Sequence, residues 1–573
     1  MRRNLKFRDR EKDPGTMRRG MRALLACAGG LPFAALVAGC VGGSARDERP
    51  NIIVIMADDM GWSDVGAYGG EIRTPNIDRL AAEGVRFTQF YNGARCVPTR
   101  AALLTGRYAH QVALGHMNAD WGAPGYRGDL DTLSLTIAEA MRDAGYRTYM
   151  SGKWHVSNRI GHWTGQPELR SVRNWPARRG FDRFFGTIIG AGSYFDPVTL
   201  TEQDTPVDSV GAGFYYTDEI NDRAATFIRD HRRDQPDQPF FLYVAQVAPH
   251  WPLHARPEDI RRYGGVYDEG WDAIRAARYR RMIEMGLIEP GWALSPRAAD
   301  VPAWQDLTAQ ERAWYARAME VYAAQVDRMD QGIGRILAAL EETGAARNTL
   351  ILFLSDNGGC AEVLSDDWRI MPVARETRTG GPVTVGNEHK HLLPGREETY
   401  MSYGPPWANV SNTPFRRFKH WVHEGGIATP LIAHWPAGIA RAGTVTHETG
   451  HIIDVMATAV DLARLELPAE RNGARVPPLE GRSLVPAFNG GTIDREALFW
   501  EHEGNRAVRQ GRWKAVAVHE GAWELYDIAA DRTELHDLAA QEPERLRELV
   551  AMYERWAERA AVLPWPAQLH AGR

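Results

Sequence analysis

Cysteine is scarce in this chain, with four among 573 residues, at positions 27, 40, 96 and 360. So few exclude a disulfide framework, and after the first forty residues only Cys96 and Cys360 remain to be explained. Excess charge is missing as well. A net charge of −5 and a pI near 6.4 give no electrostatic footprint for a nucleic-acid polyanion. Repeats and low-complexity tracts are absent, which sets aside solenoids and disordered linkers. What is there is ordinary for a globular protein, 44% apolar and 25% charged. A length of 573 residues suits one large domain with a smaller appendage. Nineteen tryptophans are many, and core filling accounts for most of them.

The N-terminus reads as an export signal. Arg18, Arg19 and Arg22 precede an apolar run over 23–37, which is too short for a stable membrane span. The run ends Leu36-Val37-Ala38-Gly39-Cys40, similar to a bacterial lipobox in which Cys40 is lipidated and becomes the mature N-terminus. The alternative is a plain signal peptide with an incidental cysteine. Charged residues before Met17 are unusual in a signal, so Met17 and Met21 are also candidate start positions. The expected location is the periplasm, with membrane contact only through a lipid at Cys40.

The expected organisation is a signal over 1–40, a linker over 41–49, a catalytic domain over 50–440 and a C-terminal subdomain over 441–573. Residues 50–56 are a continuous β-branched run, the pattern of a strand buried on both faces of a parallel sheet. Thr74-Pro75 with apolar Ile77, Leu80 and Ala81 and a stop at Gly84 predicts a helix capped by Thr74. A second helix over 136–145 leads into a strand over 146–151, and further buried strands are predicted over 240–247 and 349–355. This alternation implies an α/β fold with a mostly parallel sheet flanked by helices. Beyond residue 440, short strands over 497–500, 505–510, 513–518 and 523–526 and a closing helix from Pro543 imply a smaller α+β subdomain.

Asp58 and Asp59 follow the first strand, and Asp356 and Asn357 follow the strand over 349–355. In parallel α/β sheets the carboxyl ends of the strands form the ligand crevice. Three carboxylates and an amide oxygen converging there would repel one another without a hard cation among them. Oxygen-only donors favour Ca2+ or Mg2+ over zinc. A lone Asp-Asp after a strand would be read as a turn, but two such pairs, each followed by glycine, point to metal. Cys96-Val97-Pro98-Thr99-Arg100 then places a cysteine just before a Pro-initiated helix, in the positive field of its N-terminus. Taken alone, this could be a thiolate nucleophile or a buried structural cysteine.

The C-x-P-x-R core and its continuation Ala101-Ala102-Leu103-Leu104-Thr105-Gly106-Arg107 resemble the signature of the type I sulfatases, in the alkaline-phosphatase-like superfamily. The resemblance spans nearly the whole chain after the signal. It takes in residues 51–61, Gly152-Lys153-Trp154-His155, Ala248-Pro249-His250-Trp251-Pro252, Ser355-Asp356-Asn357-Gly358 and residues 412–427, and ends on Trp523-Glu524-Leu525-Tyr526-Asp527. It implies that a separate formylglycine-generating enzyme oxidises Cys96 to formylglycine, whose hydrate attacks sulfur. A serine or cysteine would be left sulfated, whereas the second hydroxyl of a gem-diol can collapse to the aldehyde and expel sulfate. It further implies one Ca2+ ion held by Asp58, Asp59, Asp356 and Asn357 with the modified Cys96, and Asp356 helping to deprotonate the attacking hydroxyl. Arg100 and Lys153 would hold the hydrate, and His155 would assist sulfate release. His250 and Lys419 would grip the sulfate oxygens, with His250 as proton donor to the leaving alcohol.

Among family branches the chain looks most like bacterial arylsulfatases, through residues 267–272, 285–288 and 403–407. The implied substrate is therefore a sulfate ester. Insertions over 157–216 and 362–402 are expected to wall the pocket, with Trp163, Trp175, Tyr194 and Trp407 as ring-stacking candidates or core residues. A phosphatase or phosphonate hydrolase of the same superfamily is the rival enzyme, and a non-catalytic sulfated-glycan binder the rival from another class. Arg95 and Arg107 are expected to form structural ion pairs, Cys360 to be a packed thiol, and His420 and His423 to be structural.

Overall fold

The computed structural model describes residues 48–368, 373, 375–471 and 473–565. The expected signal segment and Cys40 lie outside them. A ten-stranded sheet runs through the centre. Its strands are β1 (Asn51–Ala57), β2 (Val85–Tyr91), β3 (Arg147–Gly152), β4 (Arg183–Thr187), β5 (Leu200–Glu202), β6 (Thr205–Pro206), β7 (Phe240–Ala245), β8 (Thr349–Ser355), β9 (Ala428–His434) and β10 (Thr444–His451). Their spatial order is β10-β2-β9-β8-β1-β7-β3-β4-β5-β6. β8, β1, β7, β3 and β4 are mutually parallel. β9 runs against β8 and β2, and β5 and β6 turn back at one edge. The expected α/β fold with a mostly parallel sheet is thus present.

Burial explains why the central strands read as unbroken apolar runs. Every residue of β1, β7 and β8 is buried, because helices cover both faces. The 34-residue helix Ala309–Glu342 packs along the helix Tyr216–Asp234 on one of those faces. The predicted Thr74 cap is corrected here. The Thr74 side chain does not cap the helix Pro75–Ala82. Asp330, from the long helix, accepts from the backbone N–H groups of Asn76 and Ile77 at 3.1 and 2.8 Å. Those orphan donors are satisfied by a residue some 250 positions away.

The parallel strands all end at one edge of the sheet, and β9, running the other way, begins there. β2 is antiparallel to β9 and so also ends at that edge. The loops after β1, β2, β3, β7 and β8 and the loop before β9 therefore converge.

A separate four-stranded antiparallel sheet holds Leu498–His502, Asn505–Gln510, Trp513–Ala517 and Glu524–Asp527, with the helix Pro543–Arg559 against it. Charge buried at the seam locks it to the main sheet. Glu424, just before β9, takes Lys514 Nζ at 2.9 Å, Arg532 Nε at 2.9 Å and the Tyr91 hydroxyl at 2.8 Å. Lys514 also meets Glu534 at 2.8 Å. Burial alone would raise the Glu424 carboxyl, but Lys514 and Arg532 outweigh it and hold it below its usual 4.5.

Removing one partner from this seam leaves a buried charge uncompensated. Lys514→Met is expected to cost about 3–5 kcal/mol in chemical denaturation, whereas Arg229→Ala, at an exposed pair, should cost under about 1 kcal/mol. A depressed carboxyl contributes stability that is whole above its unfolded pKa. Melting temperature measured against pH should therefore fall below about pH 4.5, and less steeply in Glu424→Gln.

Candidate active site

Cys96 opens the helix Cys96–Thr105, with Arg95 in extended conformation ahead of it. The expectation had Cys96 just outside the helix; it is the first helical residue. Pro98 is tolerated at the third position because N–H groups there have no intrahelical partner. The first helical bond runs from Thr99 N to Arg95 O, 3.0 Å. Burial pushes the Cys96 thiol up, while Lys153 and Lys419 pull it down and Asp356 and Asp58 oppose them.

The remaining expected residues arrive around it from the converging loops, all buried. Lys153 Nζ meets Asp58 Oδ2 at 2.7 Å, and Lys419 Nζ meets Asp59 Oδ2 at 2.8 Å. Arg100 donates to Asp356 Oδ2 at 2.9 Å and to the Lys153 carbonyl at 3.1 Å, and lies 3.3 Å from Asp58 Oδ1. Asp59 N donates to Asp356 Oδ1 at 3.0 Å, and Asn357 Nδ2 to Asp59 Oδ1 at 2.7 Å. Burial and the neighbouring Asp58 raise the Asp356 carboxyl. Burial would do the same to Asp59, but His250, Lys419 and Lys153 hold it well below the ordinary carboxylate range.

The two histidines are kept neutral. Burial, with Lys153 and Arg100 close by, drops His155 well below its usual 6.5. His155 takes φ +58°, and its ring lies over Gly190, where a Cβ would stand 2.1 Å from Cε1. Burial lowers His250 to about 4, with Asp59 opposing the shift. Its Nδ1 sits 2.7 Å from the Trp251 carbonyl and so carries the proton. Nε2 then faces Lys419 Nζ at 3.4 Å and Asp59 Oδ2 at 3.2 Å.

The donor set fits a hard divalent cation. Among the described residues Asp58 Oδ1, apart from its 3.3 Å ion contact with Arg100, and Asn357 Oδ1 are buried without a hydrogen bond, beside the carboxylates of Asp59 and Asp356. Buried oxygens left unpaired in this way are what a Ca2+- or Mg2+-type ion satisfies. Without an ion, three carboxylates balance Arg100, Lys153 and Lys419. With one, the pocket gains two positive charges and favours an anionic ester.

Sequence reasoning missed Glu362. One of its oxygens meets Arg95 at 2.8 Å, and the other accepts from Trp251 Nε1 at 2.7 Å and lies 3.8 Å from Lys419 Nζ. Burial would raise it, but Lys419 and Arg95 hold it down at about 2. A single glutamate in an insertion gives no periodic signal; only its closeness to Asn357 in sequence hinted at it. Of the two readings left open for the large aromatics, core packing is the one found. Trp175, Tyr194 and Trp407 are buried, and the Tyr194 hydroxyl lies 2.8 and 2.7 Å from the Val247 and His250 carbonyls, bracing that loop. Trp163 is half-buried and stacks on Trp175. Arg95 forms its expected ion pairs, with Glu362 and Glu503. Arg107 instead hydrogen-bonds to Gln111 O and Ser134 Oγ. Cys360 is buried and free, as expected.

A cluster of buried carboxylates at the strand ends, facing a helix-borne cysteine and ringed by buried cations, is the kind of site that hydrolases of anionic esters use. Residues 50–465 match the Sulfatase family model, and residues 415–559 match the family described as N-sulphoglucosamine sulphohydrolase, C-terminal. The chain belongs to the sulfatase family and is a sulfuric ester hydrolase. It is 34% identical over 501 residues to an uncharacterised sulfatase of Schizosaccharomyces pombe, covering 83% of this chain and 86% of that one. It is 33% identical over 461 residues to an arylsulfatase of Klebsiella aerogenes, covering 77% and 92%. The crystal structure of Ps i-CgsB shares 25% identity and a TM-score of 0.62, over 89% of this chain and 93% of that one.

Gly190 makes a test independent of the charged residues. Gly190→Ala should displace the His155 ring and lower kcat/KM on an aryl sulfate about 100-fold. Its stability cost in thermal denaturation should stay near 1–3 kcal/mol.

Proposed function

We propose that this protein cleaves sulfate monoesters of the arylsulfatase type through a formylglycine made from Cys96, with one Ca2+ held by Asp58, Asp59, Asp356, Asn357 and the modified residue 96. One observation carries the reading: the buried cysteine at a helix start lies in the field of Lys153 and Lys419 and beside Asp356 and Asp58. The ion would supply charge neutralisation for sulfate oxygens at the carboxylate cluster.

The chain's own residues carry the rest. Asp356, whose basicity is raised by burial and Asp58, accepts the proton of the attacking hydroxyl. Arg100 and Lys153, held rigid by Asp356 and Asp58, orient that hydroxyl. His155, neutral and with Nδ1 unpartnered, is a base fit to take a proton as sulfate leaves. Lys419 Nζ, 3.4 Å from the bare His250 Nε2, carries the proton for the departing oxygen, and His250 orients it by accepting from it. The Klebsiella aerogenes relative supports an aryl ester as a workable substrate. Export to the periplasm, a lipid anchor at Cys40 and a visit from a formylglycine-generating enzyme complete the proposal, on the strength of the N-terminal sequence and the Cys96 motif.

The chain should be produced with a formylglycine-generating enzyme, and the peptide across Cys96 weighed by mass spectrometry. An aldehyde there, with sulfate release from an aryl sulfate that Cys96→Ala abolishes, is the expected result. A fully converted, Ca2+-loaded protein releasing phosphate but no sulfate would overturn it. Ca2+ at about 100 times its Kd should add about 2.7 kcal/mol of stability over the chelated protein, and Asp58→Asn should lose most of that gain.

A further inference from the structure

A second group of ligand-type side chains lies beside the cysteine loop and takes no part in the chemistry above. His502 ends the strand Leu498–His502, and Glu503 sits in the following turn at φ +50°. His116 comes from the loop after the cysteine helix, and His420 directly follows Lys419. His116 Nε2 stands 2.7 Å from Glu503 Oε1, His502 Nε2 stands 3.6 Å from that same oxygen, and His420 Nδ1 stands 2.8 Å from Oε2. The ligand atoms of His116, His502 and Glu503 all fall within 4.8 Å of one another.

Hydrogen bonding explains only part of this arrangement. Glu503 has two oxygens, and His116 and His420 occupy them. His502 is fully buried, and among the described residues neither of its ring nitrogens has a hydrogen-bond partner. A buried imidazole left unsatisfied at both nitrogens, with one of them aimed at a shared carboxylate, is an exception that calls for a ligand. The rings are also held in place. His116 is stacked between Trp121 at 4.2 Å and His502 at 5.4 Å, so its Nε2 direction is fixed before any ion arrives. A cavity of about 300 Å³, lined by His420, Glu503, Asn505, His519 and Trp565 among others, opens onto one side of the group.

We propose that His116, His502 and Glu503 form a second metal site, for a zinc-class divalent cation, with His420 on the far oxygen of Glu503 and an open coordination position toward the cavity. Two imidazoles and one carboxylate select zinc-like ions, whereas the oxygen-only set at Asp58, Asp59, Asp356 and Asn357 selects hard ones. The two sites would therefore fill with different metals from one solution. The inference does not depend on the sulfatase mechanism.

The test uses the untagged full chain, loaded with Ca2+ and titrated with Zn2+ and separately with Co2+. Bound metal is counted by mass spectrometry after gel filtration, and Co2+ is followed by its visible d–d absorption. One equivalent of Zn2+, and Co2+ bands of a nitrogen-containing site, are expected. His116→Gln and Glu503→Gln should each weaken binding more than about 100-fold, while Asp356→Asn should leave it unchanged. His116 is partly exposed, so that variant should fold even if changes at the turn do not. Absence of stoichiometric binding in the folded wild type, or binding that survives His116→Gln undiminished, would overturn the proposal.

Discussion

The fold depends on opposite charges held out of water at one edge of the sheet. Asp58 with Lys153, Asp59 with Lys419 and Asp356 with Arg100 are three contacts of 2.7–2.9 Å between fully buried groups. They join residues 95, 360 and 256 positions apart. Each charge is costly to bury alone, so none of these loops can settle until its partner is in place. Building the site and closing the chain around it are thus one event. That accounts for an uncommon feature of the composition. The chain has six lysines in all, and three of the four in its described part, Lys153, Lys419 and Lys514, are buried against carboxylates. Arginine serves both places, at the surface and, as Arg100 and Arg532, in the interior.

The strand directions make such an edge available. A parallel sheet sends every β-to-α loop to the same side, and so delivers Asp58, Cys96, Lys153, His250 and Asp356 from five strands. The sixth contribution uses the opposite device. β9 is antiparallel, so the loop that precedes it reaches that edge with Lys419 and Glu424. Glu424 pairs with Lys514 and Arg532, so the C-terminal sheet is fastened by the same loop that brings Lys419 to Asp59.

Much of this was legible because the signals were local. Seven consecutive buried positions in β1 and β8 read as apolar runs, and the acidic pairs after them stood out against that background. The cysteine motif was legible for the same reason, and the resemblance it carries fixed the order of the other site residues. What escaped was non-local. The cap on the helix Pro75–Ala82 comes from Asp330, and local sequence pointed to Thr74 because nothing in it announces a distant carboxylate. Glu362, Gly190 and Tyr194 act by touching Lys419, His155 and the His250 loop, contacts with no spacing rule behind them. Of the two readings open for the aromatic candidates, burial selects the core one for Trp175, Tyr194 and Trp407.

The four-stranded sheet does more than close the domain. Its first hairpin carries Glu503 to within 3.9 Å of Arg95, the residue before Cys96, and Arg95 also holds Glu362, which leans on Lys419. A continuous chain of charge therefore runs from the turn at residue 503 through Arg95 and Glu362 to Lys419. Burial would raise the Glu503 carboxyl, yet its hydrogen bonds with His116 and His420 hold it far below its usual range. Arg95, the residue before the first of the cysteine helix, is therefore held from two sides, by Glu362 and by that turn. The C-terminal sheet is thus tied, through Glu503, Arg95 and Glu362, to the edge of the main sheet where Lys419 lies.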